Sequence, residues 1–210
     1  MMHGAPNPQI FDPPRAIGAV RHFAAEQTIC FEGDLAAHFV LIIDGLVRGC
    51  SAFPDGRRFI GAFYAAGDFF GVESRPAYQT SAEAVCGTNV IFYPAWNPVE
   101  AAGAETGLTR QVLGSLMRGA DQARDHARLL GRCNAIERLA AFLLECSEPG
   151  KERPLVTLEM TRRDIADYLG LTVETVSRSL AQLKRGGLIA FVSARQIRLL
   201  NLAALRVIKS

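Results

Sequence analysis

Glu174, Ser177 and Arg178 fall at positions i, i+3 and i+4 of the stretch "LTVETVSRSLAQLKRGG" (171–187). On a helix this spacing gathers a carboxylate, a hydroxyl and a guanidinium on one face near its start. Such a set suits the edges of nucleic-acid bases. An Arg guanidinium offers two donors that match O6 and N7 of guanine. Glu accepts from cytosine N4 or adenine N6, and Ser donates, accepts or packs on a thymine methyl. An acid on such a face weakens attraction for phosphates, which makes sense where Glu174 discriminates bases or holds Arg178 in place. A plain solvated face is the alternative, and it stands for Thr175 and Gln182.

The surrounding sequence supplies elements to position these groups. Thr172 reads as the N-cap of a helix over 173–185. Its apolar residues, Val173, Val176, Leu180 and Leu183, form an inner stripe and leave Glu174, Thr175, Ser177, Arg178 and Gln182 facing out. Upstream, Thr161 with Asp164 forms a capping pattern that opens "RRDIADYLG" and ends at Gly170, with Ile165, Ala166 and Leu169 on the inner face. Helix 162–169, a break at Gly170-Leu171 and helix 173–185 have the spacing of a helix-turn-helix. After Gly186-Gly187, "LIAFVSARQIRLL" reads as two short strands around 193–196, a wing. In such a motif the second helix lies in the DNA major groove with its first residues at base edges. Phosphate contacts are then expected from Arg162, Arg163, Thr172, Thr175, Lys184, Arg185, Arg195 and Arg198. Asn134 with Glu137 caps a further helix, "AIERLAAFLLEC", and "EPGKERP" (148–154) reads as a loop.

Ahead of this segment, residues 105–133 read as one long helix. Leu113, Leu116, Ala120, Ala123, Ala127 and Leu130 recur at alternating spacings of 3 and 4, a heptad seam. Arg118, Asp121, Arg124, Asp125 and Arg128 lie off the seam and are expected in water. A stripe this narrow suits a partner helix, and its three central alanines permit close backbone approach. The alternative is packing on the same chain.

The remainder is β-rich. "FVLIIDGLVRGCSAF" (39–53) reads as a strand pair around Asp44-Gly45, and "FPDGRRFIGAFY" (53–64) contains a second turn signal at Pro54-Asp55-Gly56. "SAEAVCGTNVIFYP" (81–94) supplies further strand, and the short, glycine-punctuated strands predict a small barrel or roll. Residues 1–20, with four prolines, read as an irregular arm. The formal net charge of +2 hides an asymmetry: residues 161–210 hold 9 Lys and Arg against 3 acids, whereas 1–133 hold 11 Arg against 13 acids. A basic end on a slightly acidic body points to a polyanion. No apolar run reaches membrane-spanning length and no signal core is present, so a cytoplasmic protein without membrane contact is expected. No nucleophile–base set, phosphate-cradling loop or metal-ligand spacing occurs, which argues against an enzyme and against a metal site.

A β-roll, a heptad helix and a winged helix-turn-helix in this order resemble the CRP/FNR family of transcription regulators over about residues 20–205. The roll matches are "FEGD" (31–34), "IIDGLVR" (42–48) and "AAGDFFG" (65–71). "ETVSR" (174–178) is similar to the recognition signature of the FNR-like branch, and "LGLTVETVSRSLAQLKRGGLI" (169–189) to its FixK group. The resemblance implies an α+β chain: an N-terminal β-roll of the cyclic-nucleotide-binding type (1–104), a dimerisation helix (105–133) and a C-terminal winged helix-turn-helix (134–210). It further implies a homodimer, most readily an activator that contacts RNA polymerase, whose Glu174, Ser177 and Arg178 read each half of a TTGAT-type inverted repeat in double-stranded DNA. FixK-group proteins regulate oxygen-limited respiration and nitrogen-fixation genes.

Two departures bear on cofactors. Cyclic-nucleotide members carry a Gly-Glu start and then Arg-Ser/Thr-Ala. Here "GVESRPAYQTSA" (71–82) has Glu73 one position late and Thr80 where the Arg belongs, with Arg75 elsewhere in the loop. Iron–sulfur members need an N-terminal cysteine cluster, and residues 1–29 contain no cysteine. The expectation is a regulator with no cofactor, controlled by abundance, proteolysis, partners or thiol oxidation. Cys146, near the 147–154 loop, is the thiol expected to be most exposed. A ligand-gated regulator binding a small molecule in the roll remains the second reading.

Overall fold

The computed structural model describes residues 20–95, 107–147 and 151–209. The arm expected at 1–20 lies almost wholly outside them, as do 105–106 of the long helix and 148–150 of the loop. The described residues divide into two compact units, between Asp121 and Gln122.

The first unit is a roll of two antiparallel four-stranded sheets. One has the order β1 (Val20–Phe23), β8 (Thr88–Pro94), β3 (His38–Asp44), β6 (Phe69–Phe70); the other has β2 (Thr28–Cys30), β7 (Ser81–Ala84), β4 (Leu46–Ala52), β5 (Arg58–Ala65). The strands flanking Asp44-Gly45 both form, but they do not pair with each other as expected. β3 bonds to β6 and β8, β4 to β5 and β7, and the chain crosses between sheets at Gly45. Gly45 has φ +94°, and a Cβ there would stand 2.7 Å from Thr88 Cα and 2.8 Å from the Gly87 carbonyl, so only glycine fits. Burial on both faces explains why "FVLII" does not alternate with polar residues. Val40 and Ile42 pack between the sheets with Val47, Phe70 and Val90, while Phe39 and Leu41 pack outward with Phe69, Ile91 and Tyr93. The second turn signal is a true hairpin: β4 pairs with β5, Gly56 has φ +83°, and Asp55 accepts from the Arg57 amide at 3.0 Å.

Helix α1 (Gly107–Arg132) carries two stripes. Leu108, Val112 and Ser115 face the roll; Val112 is fully buried and the Ser115 hydroxyl accepts from the Phe69 amide at 3.1 Å. The heptad seam is a different stripe, exposed in the single chain except at Leu130, which is half-buried near Gly170. Leu113 and Leu116 are 47% and 37% exposed, and Ala120, Ala123 and Ala127 are exposed as well. Arg118 departs from the expectation of a solvated residue: it is half-buried and pairs with Asp68 at 3.8 Å. Asp121, Arg124, Asp125 and Arg128 are exposed. No described helix is long and apolar enough to cross a membrane.

The second unit contains α2 (Ala135–Glu145), α3 (Arg162–Leu169), α4 (Val173–Arg185), α5 (Leu202–Lys209) and an antiparallel sheet of order β10 (Ile189–Phe191), β11 (Gln196–Leu199), β9 (Leu155–Thr157). Its core is built from Leu139, Phe142, Leu143, Ile165, Leu169, Val176, Leu180, Leu183, Ile189 and Ile197. Strand β9 and helix α5 were not anticipated from sequence. Cys146 corrects the expectation of an exposed thiol. It caps the C-terminus of α2, is half-buried, and desolvation raises its thiol pKa far above the usual range, which suppresses thiolate chemistry.

Candidate nucleic-acid interface

The turn between α3 and α4 is fixed by local chemistry. Thr161 and Asp164 close a reciprocal capping box at the start of α3, with the Asp164 amide donating to the Thr161 hydroxyl at 3.1 Å and the Thr161 amide to the Asp164 carboxylate at 2.9 Å. Gly170 ends α3 in the left-handed region, φ 62°, and its amide donates to the Ala166 carbonyl. Thr172 caps α4 by accepting from the Thr175 amide at 3.2 Å, and the two threonine hydroxyls lie 3.0 Å apart.

Arg138 of α2 secures this turn. Its guanidinium donates to the carbonyls of Leu169 (2.9 Å), Leu130 (2.9 Å) and Cys133 (2.8 Å), and so ties the ends of α3 and α1 to α2. His126 adds a second tie: its ring stacks on Tyr168 with centroids 4.0 Å apart, and Nε2 lies 2.7 Å from the Tyr168 carbonyl. Neither tie has a local signal in the sequence, because each joins residues 5 to 42 positions apart. Arg138→Ala should lower unfolding free energy by about 1–3 kcal/mol, because three carbonyls lose a charged donor. Urea denaturation of the variant measures this, and unchanged stability would show that water replaces the guanidinium.

With the turn fixed, α4 presents the expected face. Val176, Leu180 and Leu183 are buried, and Glu174, Ser177, Arg178 and Gln182 are exposed, with Thr175 half-buried. Val173 departs from the inner stripe and is 37% exposed. The buried set is Val176, Ser179, Leu180 and Leu183, a complete i, i+3, i+4, i+7 stripe. Val173, the first helical residue, falls at its fringe, beside Glu174.

Among the described residues Glu174 and Arg178 form no ion pair. The Glu174 carboxyl lies below the usual carboxylate range, chiefly because its own backbone amide donates to it, then because the Thr172 hydroxyl does, with Arg178 a lesser influence. Arg178 reaches the Thr175 hydroxyl at 3.5 Å, the outer limit of a hydrogen bond. Its guanidinium therefore stands uncommitted to Glu174. Glu174 also lies in the first turn, where a carboxylate complements the helix dipole, and Lys184 and Arg185 complement it in the last.

The cations expected at phosphates lie on α3, α4, the wing turn and β11. Arg163, Lys184, Arg185, Arg195 and Arg198 are exposed and Arg162 is half-buried. Arg162 and Lys184 converge on Phe191 of β10, each with its charge 5.6 Å from the ring centroid. Arg195, on the wing turn, lies 3.9 Å from Glu159. Thr172 is committed to its capping bonds, leaving Thr175 as its nearest hydroxyl neighbour.

The loop 71–82 of the roll departs from the cyclic-nucleotide pattern in its charges. Its one cation, Arg75, is exposed and donates to Gln79 at 3.1 Å, while the Glu73 carboxylate accepts from the Gln79 amide at 3.3 Å. Behind the loop Tyr64 fills the space beside Gly49, where a Cβ would stand 3.1 Å from the ring. Burial raises the Tyr64 hydroxyl pKa to about 12, and Glu73 and Asp68 add to the shift. Glu73, Asp68 and the Tyr64 phenol thus lie together in this part of the roll, and Arg75 is the loop's one cation.

Comparison with known proteins matches this geometry. Residues 20–95 match the cyclic nucleotide-binding domain model, and 137–208 match that of the Crp-like helix-turn-helix domain. The chain is 36% identical over 200 residues to the nitrogen fixation regulation protein FixK of Azorhizobium caulinodans, covering 93% of this chain and 81% of the relative. FixK of Bradyrhizobium diazoefficiens is 38% identical over 184 residues, covering 84% and 76% of the two chains. The solved structure of FixK2 from Bradyrhizobium japonicum superposes with a TM-score of 0.82 at 38% identity, covering 93% of this chain and 98% of that one. Fold, motif order and sequence agree: the chain belongs to the CRP/FNR family of transcription regulators, within its FixK-like group.

Proposed function

We propose that this protein is a homodimeric, sequence-specific regulator that reads a TTGAT-type inverted repeat and controls nitrogen-fixation or oxygen-limited respiration genes. The observation that carries the reading is the division of α4 into a locked face and an exposed one. Val176, Leu180 and Leu183 anchor the helix, and Glu174, Ser177 and Arg178 stand free of the core at its N-terminal end. Val173 adds an exposed apolar group beside them, of the kind that packs on a thymine methyl. The uncovered seam of α1 supports pairing of two copies, so that two recognition helices meet two half-sites related by a two-fold. The relatives named for nitrogen-fixation regulation support the biological setting.

The regulator works in the cytoplasm, activates by contact with RNA polymerase, and binds DNA without cyclic nucleotide or iron–sulfur cluster. The departure of loop 71–82 from the cyclic-nucleotide pattern, with Thr80 where the Arg belongs, supports effector independence. Fluorescence anisotropy with a TTGAT inverted-repeat duplex and a scrambled duplex tests the reading. Tight, selective binding without additive, unchanged by cyclic AMP, is expected; binding that appears only with cyclic AMP would favour the ligand-gated alternative.

Because Glu174 and Arg178 share no ion pair, their contributions should be nearly independent. In a double-mutant cycle with Glu174→Ala and Arg178→Ala, the coupling energy for DNA binding should stay below about 0.5 kcal/mol. A larger coupling would mean that Glu174 acts by holding Arg178.

A further inference from the structure

The wing carries an aromatic ring that base reading does not use. Phe191, the last residue of β10, remains 36% exposed, an unusual place for a large apolar side chain beside a charged surface. Arg162, the first residue of α3, holds its guanidinium carbon 5.6 Å from the ring centroid. Lys184, in the last turn of α4, holds its ammonium at the same 5.6 Å. The start of α3 and the end of α4 thus converge on one ring of β10, within the range of cation–π attraction.

The choice of an aromatic partner matters. A carboxylate would order the two cations but cancel their charge. A ring orders them and leaves both charges available. None of the ion pairs among the described residues joins a carboxylate to Arg162 or Lys184. Arg162 is moreover partly desolvated, which makes its unneutralised charge costlier and its attraction for an incoming anion stronger. Long basic side chains also lose about 2 kcal/mol of rotamer entropy when ordered. The ring bears part of that ordering before any ligand arrives.

We propose that Phe191, Arg162 and Lys184 form a phosphate clamp that grips one phosphodiester of the DNA backbone, with Phe191 as the positioning residue and the two cations as the contacts. The clamp rests on the DNA-binding reading above and deepens it. It supplies affinity independent of sequence and fixes the wing's register, while Glu174, Ser177 and Arg178 select the bases.

The test uses the full-length chain, the preferred duplex, a scrambled duplex and inorganic phosphate. Phe191→Leu keeps the bulk but removes the π face; Phe191→Trp keeps the face. Phe191→Leu should weaken binding to both duplexes by about five- to thirtyfold, leaving base preference unchanged, whereas Phe191→Trp stays within about twofold of the parent. Lys184→Ala should reduce the slope of log affinity against log salt by about one per half-site. Thermal melts of all variants report folding, and the comparison is made among variants that melt with the parent. Equal behaviour of the Leu and Trp variants, or a loss confined to the preferred duplex, would overturn the clamp. A melting shift with inorganic phosphate that Phe191→Leu abolishes, without any change in DNA binding, would reassign the site to a free anion and also overturn it. If the parent binds no duplex selectively, the functional reading itself fails; selective binding that Phe191→Leu leaves intact defeats the clamp alone.

Discussion

Replacing Ala123 with glutamate should dissociate the protein into monomers and abolish tight binding to an inverted repeat. Ala123 sits mid-seam on α1, exposed between Ala120 and Ala127, with Leu113 and Leu116 toward one end and Leu130 toward the other. The neighbouring stripe of the helix, Leu108, Val112 and Ser115, is already packed on the roll. The exposed seam residues Leu113, Leu116, Ala120, Ala123 and Ala127 are free for a partner. Two copies related by a two-fold would bring two glutamates close together in a water-poor interface. An unpaired charge buried in this way costs about 3–5 kcal/mol, or about two to four orders of magnitude in the dissociation constant. Sedimentation velocity reads the mass directly. Asp125→Glu, off the seam, should leave it unchanged. An Ala123→Glu protein that still sediments as a dimer would place the interface elsewhere.

Arg178→Ala should cost about 1–3 kcal/mol at each half-site and relax the preference at one guanine. The structure supports both the size and the specificity of this effect. Arg178 is exposed, and among the described residues its only hydrogen bond is a 3.5 Å contact to Thr175 and it has no ion pair to break before it meets DNA. Its removal also leaves the core residues Val176 and Leu180 in place, so folding should not suffer. Anisotropy titrations on the preferred duplex and on single-base variants separate the possibilities. Loss of discrimination at one base pair marks a base contact. Equal losses on specific and scrambled duplexes would make Arg178 a phosphate ligand only.

The parts legible in the sequence are those governed by local chemistry. Thr161 with Asp164, Asn134 with Glu137, Gly170 and Thr172 act on the backbone within three or four residues, and each does in the structure what its type predicts. The periodicity of Val176, Leu180 and Leu183 likewise identifies the buried face of α4. What escaped depends on tertiary context. The run "FVLII" carries no sign of which sheet each neighbouring strand joins, so Asp44-Gly45 looks like a hairpin when it is a crossing between sheets. Val173 has an apolar side chain on nearly the right phase, but the stripe closes around Ser179 instead. Cys146 is near a loop in sequence yet belongs to the end of a packed helix. Phe191 reads as a strand residue, and its partners Arg162 and Lys184 are separated from it by 29 and 7 positions. No local pattern announces such a meeting. Arg48 is another instance: an arginine in a strand that proves almost fully buried, held by Glu26 and Glu83 at 2.6 and 2.7 Å.

The central claim is that two copies of α4 read an inverted repeat without a bound effector. Selection of bound duplexes from random DNA, with purified protein and nothing added, tests it most directly. The account predicts enrichment of a two-fold-symmetric site with TTGAT-type halves whose centres lie about one helical turn apart, or a multiple of it. Enrichment of no sequence, or of an asymmetric single half-site, would contradict it.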